Sequence, residues 1–170
     1  MPRDDALPDY CRKPTLIVGC GNVLMGDDGF GCEVAEYIQQ REHLPESVCA
    51  LDAGTGVRSL LFTICLSAVR PQRVLVIDAV DAGREPGDLF ELDPADIPPV
   101  KLDDFSMHQL PTSNLLRELQ ALCGVDVRVL ACQPGLIPEL VQPGLSSAVA
   151  AAVPRAARWI VDTYLDSVLA

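Results

Sequence analysis

A chain of 170 residues is long enough for one domain with a full hydrophobic core, and 49% of its residues are hydrophobic. Its 24 acidic and 13 basic residues leave a formal net charge of −11, which argues against a nucleic-acid partner, because such proteins present a basic face. No apolar run approaches the ~20 residues that a membrane-spanning helix needs, so the sequence predicts a protein without a membrane insertion.

The predicted elements follow a polar, proline-containing N-terminus, residues 1–14, which is expected to be a flexible arm before a single α/β domain over 15–170. Short apolar runs then alternate with longer segments in which apolar residues recur at helical spacing. The apolar runs predict strands at 15–20, 47–53, 73–80, 88–93 and 126–132, with 88–93 at an edge of the sheet. The amphipathic segments predict helices at 29–40, 57–68, 112–123 and 145–165. Thr112 or Ser113 is expected to cap the third helix, and Pro154 to bend or restart the last one.

The alternation of strands and helices predicts a doubly wound, mainly parallel sheet in three layers, with helices on both faces. In such folds the ligand binds beyond the carboxyl ends of the strands. Asp28 lies in the loop after the first predicted strand, and Asp52 and Asp78 lie at the carboxyl ends of two others, so we expect the three to meet at that edge. The segment 106–114 leads to a helix start at the same edge, and it brings His108 with it.

The stretch GCGNVLMGDDGFG, residues 19–31, has the glycines of a nucleotide loop but not its pattern. Leu24 occupies the place of the third glycine of a dinucleotide loop, and two carboxylates, Asp27 and Asp28, would repel a phosphate at the helix start. No Gly-Lys-Ser/Thr of a Walker loop occurs. A phospho-receiver domain shares the sheet and the acids, but neither of the two lysines follows the last strand, where that site needs one.

Each candidate residue also has a purely structural interpretation. One of the two adjacent aspartates could cap the helix, and Asp52 could close a turn with its own backbone, as Asp before glycine often does. Asp78 is harder to explain in this way, because burying a lone carboxylate is costly unless it is paired or bound to a metal. His43 is interpreted as a solvated residue at a helix end, whereas the position of His108 favours a ligand.

Two carboxylates and one imidazole suit a divalent ion such as Ni²⁺, Zn²⁺, Fe²⁺ or Mn²⁺, and three protein ligands leave a position open for water or substrate. The residues alone therefore predict a metal-binding α/β protein with a hydrolytic activity. The seven cysteines include no Cys-x-x-Cys pair, which favours a reducing, cytoplasmic location.

Four segments, IVGCGNVLMGDDGFG, LDAGTG, LVIDAVDAG and SMHQLPTSNLL, occur in the order and rough spacing of the [NiFe]-hydrogenase maturation endopeptidases, and the sequence resembles that family. The resemblance extends from Leu16 to the helix after Pro143. The phrases FSMHQLPTSNLL and ACQPGLIPE are most similar to the branch that serves deazaflavin-coenzyme-reducing hydrogenases.

The resemblance implies a twisted sheet of about five strands and an endopeptidase that removes the C-terminal tail of a nickel-loaded hydrogenase large-subunit precursor. It implies that Asp28, Asp78 and His108 are the metal ligands and catalytic residues, with Asp at 28 where some members have Glu. The turn that contains Asp52, Gly54, Thr55 and Gly56 is then the substrate-binding segment. Ni²⁺ is expected to arrive with the substrate, although other divalent ions could replace it, and the enzyme is expected to be a monomer.

Two mechanisms stay open for such a family. The metal can act as a Lewis acid or activate water, or a carboxylate can act as a general base. A non-enzymatic nickel-delivery protein is the alternative from another functional class.

Overall fold

The computed structural model describes residues 6–96 and 111–165. Within them one sheet contains the strands β1 (Thr15–Cys20), β2 (Val48–Gly54), β3 (Arg73–Ala79), β4 (Leu89–Leu92) and β5 (Asp126–Cys132). The strand order is β2-β1-β3-β5-β4, and only β4, at the edge, runs antiparallel to its neighbour. The predicted α/β class, the mainly parallel sheet of about five strands and the edge position of the strand near 88–93 are thereby confirmed.

The same ranges contain the helices α1 (Asp9–Arg12), α2 (Phe30–Arg41), α3 (Val57–Leu66), α4 (Pro111–Cys123) and α5 (Ser147–Ile160). Two 3-10 turns lie at Gly26–Gly29 and Pro94–Asp96, and a π-helical turn at Val161–Leu165 follows α5. None of the helices in the described part of the chain is long and apolar enough to cross a membrane.

Helices cover both faces of the sheet, which explains why its central strands are continuously apolar. Ile17 of β1 belongs to a core that includes buried residues of α2 and α5, whereas its neighbours Leu16 and Val18 belong to a second core with α3 and α4. Successive strand residues point to opposite faces, so a strand buried on both sides needs an apolar residue at every position.

Three local expectations are corrected by the structure. Part of the predicted N-terminal arm is the helix α1, in which Cys11 is fully buried against the second core. α4 begins at Pro111, one residue before the predicted cap, because proline is favourable in the first turn, where its missing N–H is not needed. α5 continues through Pro154, so the last helix does not restart there, and Val153 and Ala157 near it are buried; a bend at Pro154 stays a prediction.

Candidate active site

The first loop, residues 21–29, turns the chain back from β1 and delivers Asp28 to the carboxyl edge of the sheet. Gly21 has φ of +129°, a conformation that favours glycine. The backbone N–H of Asn22 donates to Asp28 Oδ2 at 2.7 Å, and the N–H of Leu24 donates to Asn22 Oδ1 at 3.0 Å. Asp28 lies in the 3-10 turn and is fully buried. The loop therefore holds one oxygen of this carboxylate in a fixed position.

Glycines allow the helix that follows this loop to touch the sheet. A Cβ atom on Gly31 would lie 2.1 Å from the Ile77 carbonyl oxygen and 2.4 Å from that of Cys20. One on Gly19 would lie 2.1 Å from the Gly31 carbonyl oxygen. Only glycine fits at both positions, and this close approach brings the 3-10 turn with Asp28 against β3.

Asp78 lies near the end of β3, the strand that the 3-10 turn with Asp28 contacts. Its side chain is partly exposed, and its Oδ1 accepts a hydrogen bond from the Ala79 N–H at 2.8 Å. Burial and, secondly, the negative charge of Asp28 raise the pKa of Asp78 well above its usual range, with the Ala79 bond opposing them. The structure thus brings Asp28 and Asp78 together, as expected from the topology.

The neighbour of Asp28, Asp27, has a different environment and was not assigned a site role by the sequence. It is fully buried and accepts four hydrogen bonds. The N–H groups of Gly135 and Leu136 donate to Oδ2 at 2.8 Å, the Ser146 N–H donates to Oδ1 at 2.6 Å, and the Ser146 hydroxyl donates to Oδ2 at 2.8 Å. Burial opposes ionisation, but these bonds outweigh it and lower the pKa of Asp27. Asp27 is therefore a structural anchor for residues that are distant in sequence.

Gln133 anchors another loop at this edge. It is 5% exposed, and its Oε1 accepts hydrogen bonds from the N–H groups of Ala82 and Arg84 at 2.8 and 3.1 Å. Its Nε2 donates to Asp81 Oδ1 at 3.0 Å. The chain that leaves Asp78 is consequently held next to the end of β5.

The turn predicted to bind substrate adjoins the first loop, since the Gly21 N–H donates to the Gly54 carbonyl oxygen at 3.1 Å. Asp52 is exposed, and its Oδ1 accepts from the Gly54 N–H at 2.8 Å, which is the structural role that Asp before glycine often has. Thr55 and Gly56 are exposed beside it. Substrate binding by this turn stays a prediction.

Two thiols lie among the acids, and the sequence pattern did not single them out. Cys32 donates to the Gly21 carbonyl oxygen at 3.5 Å, and burial together with Asp52 and other nearby carboxylates raises its pKa. Cys20 is 5% exposed, and burial and the charge of Asp78 raise its pKa in the same direction. Burial and the neighbouring carboxylates thus favour the neutral thiol form of both cysteines.

The third predicted ligand, His108, lies outside the described residues. Among the described residues, no three His, Cys, Asp or Glu side chains are grouped so that they could hold a metal ion. Asp28 and Asp78 supply two oxygen donors whose mutual repulsion a divalent cation would relieve, so the pair fits such an ion and needs further ligands from elsewhere.

Comparisons with known proteins agree on one family. A family model described as hydrogenase maturation protease matches residues 32–163. The chain is 40% identical over 152 residues to the coenzyme F420 hydrogenase subunit delta of Methanothermobacter thermautotrophicus, which covers 86% of this chain and 92% of the relative.

Two solved structures have the same fold. The hydrogenase maturating endopeptidase HybD from Escherichia coli matches with a TM-score of 0.72 and 25% identity, over 90% of this chain and 93% of that one. The [NiFe] hydrogenase maturation protease HycI from Thermococcus kodakarensis matches with a TM-score of 0.70 and 28% identity, over 89% and 91% of the two chains.

Proposed function

The chain belongs to the hydrogenase maturation protease family, and we propose that it is the endopeptidase that removes the C-terminal tail of a nickel-loaded [NiFe]-hydrogenase large-subunit precursor. The members of this family are peptide hydrolases, which argues against the phospho-receiver and nickel-delivery alternatives. We place the substrate in a deazaflavin-reducing hydrogenase, because the relative from Methanothermobacter thermautotrophicus is named as a subunit of a coenzyme F420 hydrogenase.

The observation that supports this proposal best is the meeting of Asp28 and Asp78 at the carboxyl edge of the sheet. One carboxylate comes from the 3-10 turn of the first loop and the other from the end of β3, and Gly31 allows the close contact between these two segments. Hard oxygen donors of this kind bind divalent ions, and an incomplete ligand set suits an ion that is already held by another protein. In this proposal the nickel belongs to the precursor, and His108 is the third ligand.

In the proposed reaction, the chain's own residues position the precursor. Asp28 contributes a carboxylate oxygen whose place is set by the Asn22 N–H, and Asp78 contributes a second one from the end of β3. The bound ion supplies Lewis-acid polarisation of the scissile carbonyl or activates a water molecule. The proposal requires no resident metal, and a precursor without nickel would lack the group that the site binds.

The experiment that tests this proposal compares two precursors. The purified protein is mixed with nickel-loaded and nickel-free large-subunit precursor, each shown to be folded, and the released tail is measured by mass spectrometry. We expect cleavage of the loaded form alone. Equal cleavage of the two forms would contradict recognition through a shared metal and favour a carboxylate general base. A control shows that the loaded precursor is cut by the protease that normally processes it. If that control is cut but the present protein cuts neither form, the proposed substrate class is contradicted.

A further inference from the structure

Six large apolar side chains are exposed on two adjoining loops next to Asp28. One pair lies on the first loop, and the others lie on the proline loop, residues 134–145, which follows β5. Together they form what we call the apolar platform: Val23 (46% exposed), Leu24 (48%), Leu136 (50%), Ile137 (39%), Leu140 (81%) and Val141 (69%). Exposed apolar side chains concentrated on neighbouring loops in this way are typical of interaction sites.

Backbone hydrogen bonds make the two loops one surface. The Gln142 N–H donates to the Leu24 carbonyl oxygen at 2.8 Å, and the Gly26 N–H donates back to the Gln142 carbonyl oxygen at 2.9 Å. The Asp27 N–H donates to the Leu136 carbonyl oxygen at 3.0 Å, while the Asp27 carboxylate accepts the Gly135 and Leu136 N–H groups. The platform is therefore preformed, which lowers the entropy cost of binding a partner.

The charge of the platform points to the chemistry of its occupant. The proline loop contains a single ionisable residue, Glu139, in a protein whose charged residues are 22% of the total. A mainly apolar surface of this kind favours burial of a partner's apolar side chains over binding of a strongly charged partner. Its position restricts the occupant further, because Val23 and Leu24 share the first loop with Asp28, so a partner that reaches Asp28 also comes close to them.

We propose that the apolar platform binds an apolar stretch of the large-subunit precursor adjacent to the scissile bond, and so determines which chain is presented to Asp28 and Asp78. This inference rests on the proposed function and adds the surface through which the substrate is recognised. The platform contributes to binding of the precursor, and it takes no part in breaking the peptide bond.

The chain supplies a matched control at the other edge of the sheet. Leu122 is 81% exposed, like Leu140, and Leu66 is 71% exposed, close to the value for Val141. Leu122 and Leu66 lie at the ends of α4 and α3, just before β5 and β3 begin, so they are at the amino edge, away from Asp28. Two double variants, L140S/V141S and L122S/L66S, therefore remove similar exposed surface from opposite edges.

The test measures kcat and KM of both double variants on the full nickel-loaded precursor, with thermal unfolding to confirm that each is folded. We expect L140S/V141S to raise KM about tenfold with kcat changed less than twofold, because burial of apolar side chains stabilises the complex. L122S/L66S is expected to match the unaltered protein. If L140S/V141S unfolds, the single variant L140S replaces it and is expected to shift KM in the same direction.

Two outcomes would overturn the inference. One is a KM for L140S/V141S equal to that of the L122S/L66S control. The other is an unchanged KM together with light scattering that shows a dimer of the unaltered protein and a monomer of L140S/V141S, since the occupant would then be a second copy of this chain. Failure of the unaltered protein to cut the precursor is a different result, and it contradicts the proposed function itself.

Discussion

The carboxyl edge of the sheet, where the parallel strands end, and the amino edge, where they begin, are stabilised by different interactions. At the carboxyl edge, a buried carboxylate, Asp27, accepts four hydrogen bonds, and Asp78 is kept beside Asp28 although their charges repel. At the amino edge, the ion pairs between Asp126 and two arginines, Arg73 and Arg128, have side chains 34–45% exposed. Asp27 and Asp28 are fully buried and Asp78 is partly exposed, whereas every side chain of the second group is at least about a third exposed to water.

The difference shows where the fold tolerates an electrostatic cost. Exposed ion pairs contribute little to stability, and their loss costs little. A carboxylate whose pKa is raised by burial and by a like charge destabilises the folded state at neutral pH. Stability therefore does not explain why the protein has such a residue, and a functional role does. Asp78 is such a group, and the function proposed for the carboxyl edge supplies that explanation.

The variant Asp78→Asn tests most directly whether the two edges have different roles. Asn keeps the shape of the side chain but cannot supply an anionic oxygen to a metal, so we expect precursor cleavage to fall at least about 10³-fold. Because the charge that Asn removes is unfavourable in the folded state, thermal stability is expected to be unchanged or higher. The matched variant Asp126→Asn at the amino edge is expected to cleave normally. Full cleavage by Asp78→Asn would remove this residue from the site.

The two histidines allow a second comparison between a residue at the amino edge and a predicted site residue. His43 is exposed between α2 and β2, at the amino edge, whereas His108 lies outside the described residues and is predicted to be a ligand. We expect His108→Ala to reduce cleavage about 100-fold and His43→Ala to leave it unchanged, since removal of groups that support a metal typically costs that much. Kinetics of both variants on nickel-loaded precursor measures this, and equal activity of the two would exclude His108 from the site.

Asp27 and Asp93 offer a comparison of stability between a buried and an exposed carboxylate. Asp27 accepts four hydrogen bonds, and Asp93 accepts one from the Ala95 N–H at 2.8 Å on an exposed turn. Asp27→Asn turns an amide N–H₂ toward donors, so we expect the free energy of unfolding to fall by about 3 kcal/mol. Asp93→Asn is expected to cost less than about 1 kcal/mol. Urea unfolding measures both, and equal losses would contradict the anchoring role of Asp27.

These anchors also show which parts of the molecule could be predicted from the sequence. The apolar runs of β1 and β3 and the alternation of elements predict a parallel sheet, and a parallel sheet places Asp28 and Asp78 at one edge. The four bonds to Asp27 could not be predicted, because Gly135 and Ser146 are 108 and 119 residues away and no local pattern connects them. That α5 does not restart at Pro154 could not be predicted for a similar reason, since its buried residues share a core with residues of distant helices and strands.

The smallest expected effect is the contribution of the exposed ion pairs at the amino edge to stability, which can be measured through its dependence on pH. Burial opposes the ionised form of Asp126, but hydrogen bonds from Arg73 at 2.8 Å and Arg128 at 3.0 Å outweigh it and lower the pKa of this carboxyl. A lowered pKa in the folded state stabilises the protein above the unfolded pKa, about 3.9, and this contribution disappears as pH falls below it.

Because these side chains are about a third exposed or more, we expect Asp126→Asn to reduce the free energy of unfolding by less than about 1 kcal/mol at pH 7. The difference from the unaltered protein should shrink as pH falls below the unfolded pKa, about 3.9, and through the lowered pKa of the folded state. Urea unfolding over a series of pH values from 7 downward, and at pH 7 in 1 M salt, measures it. A loss at pH 7 as large as that of Asp27→Asn would mean that the Asp126 ion pairs stabilise the amino edge as strongly as the buried hydrogen bonds of Asp27 stabilise the carboxyl edge.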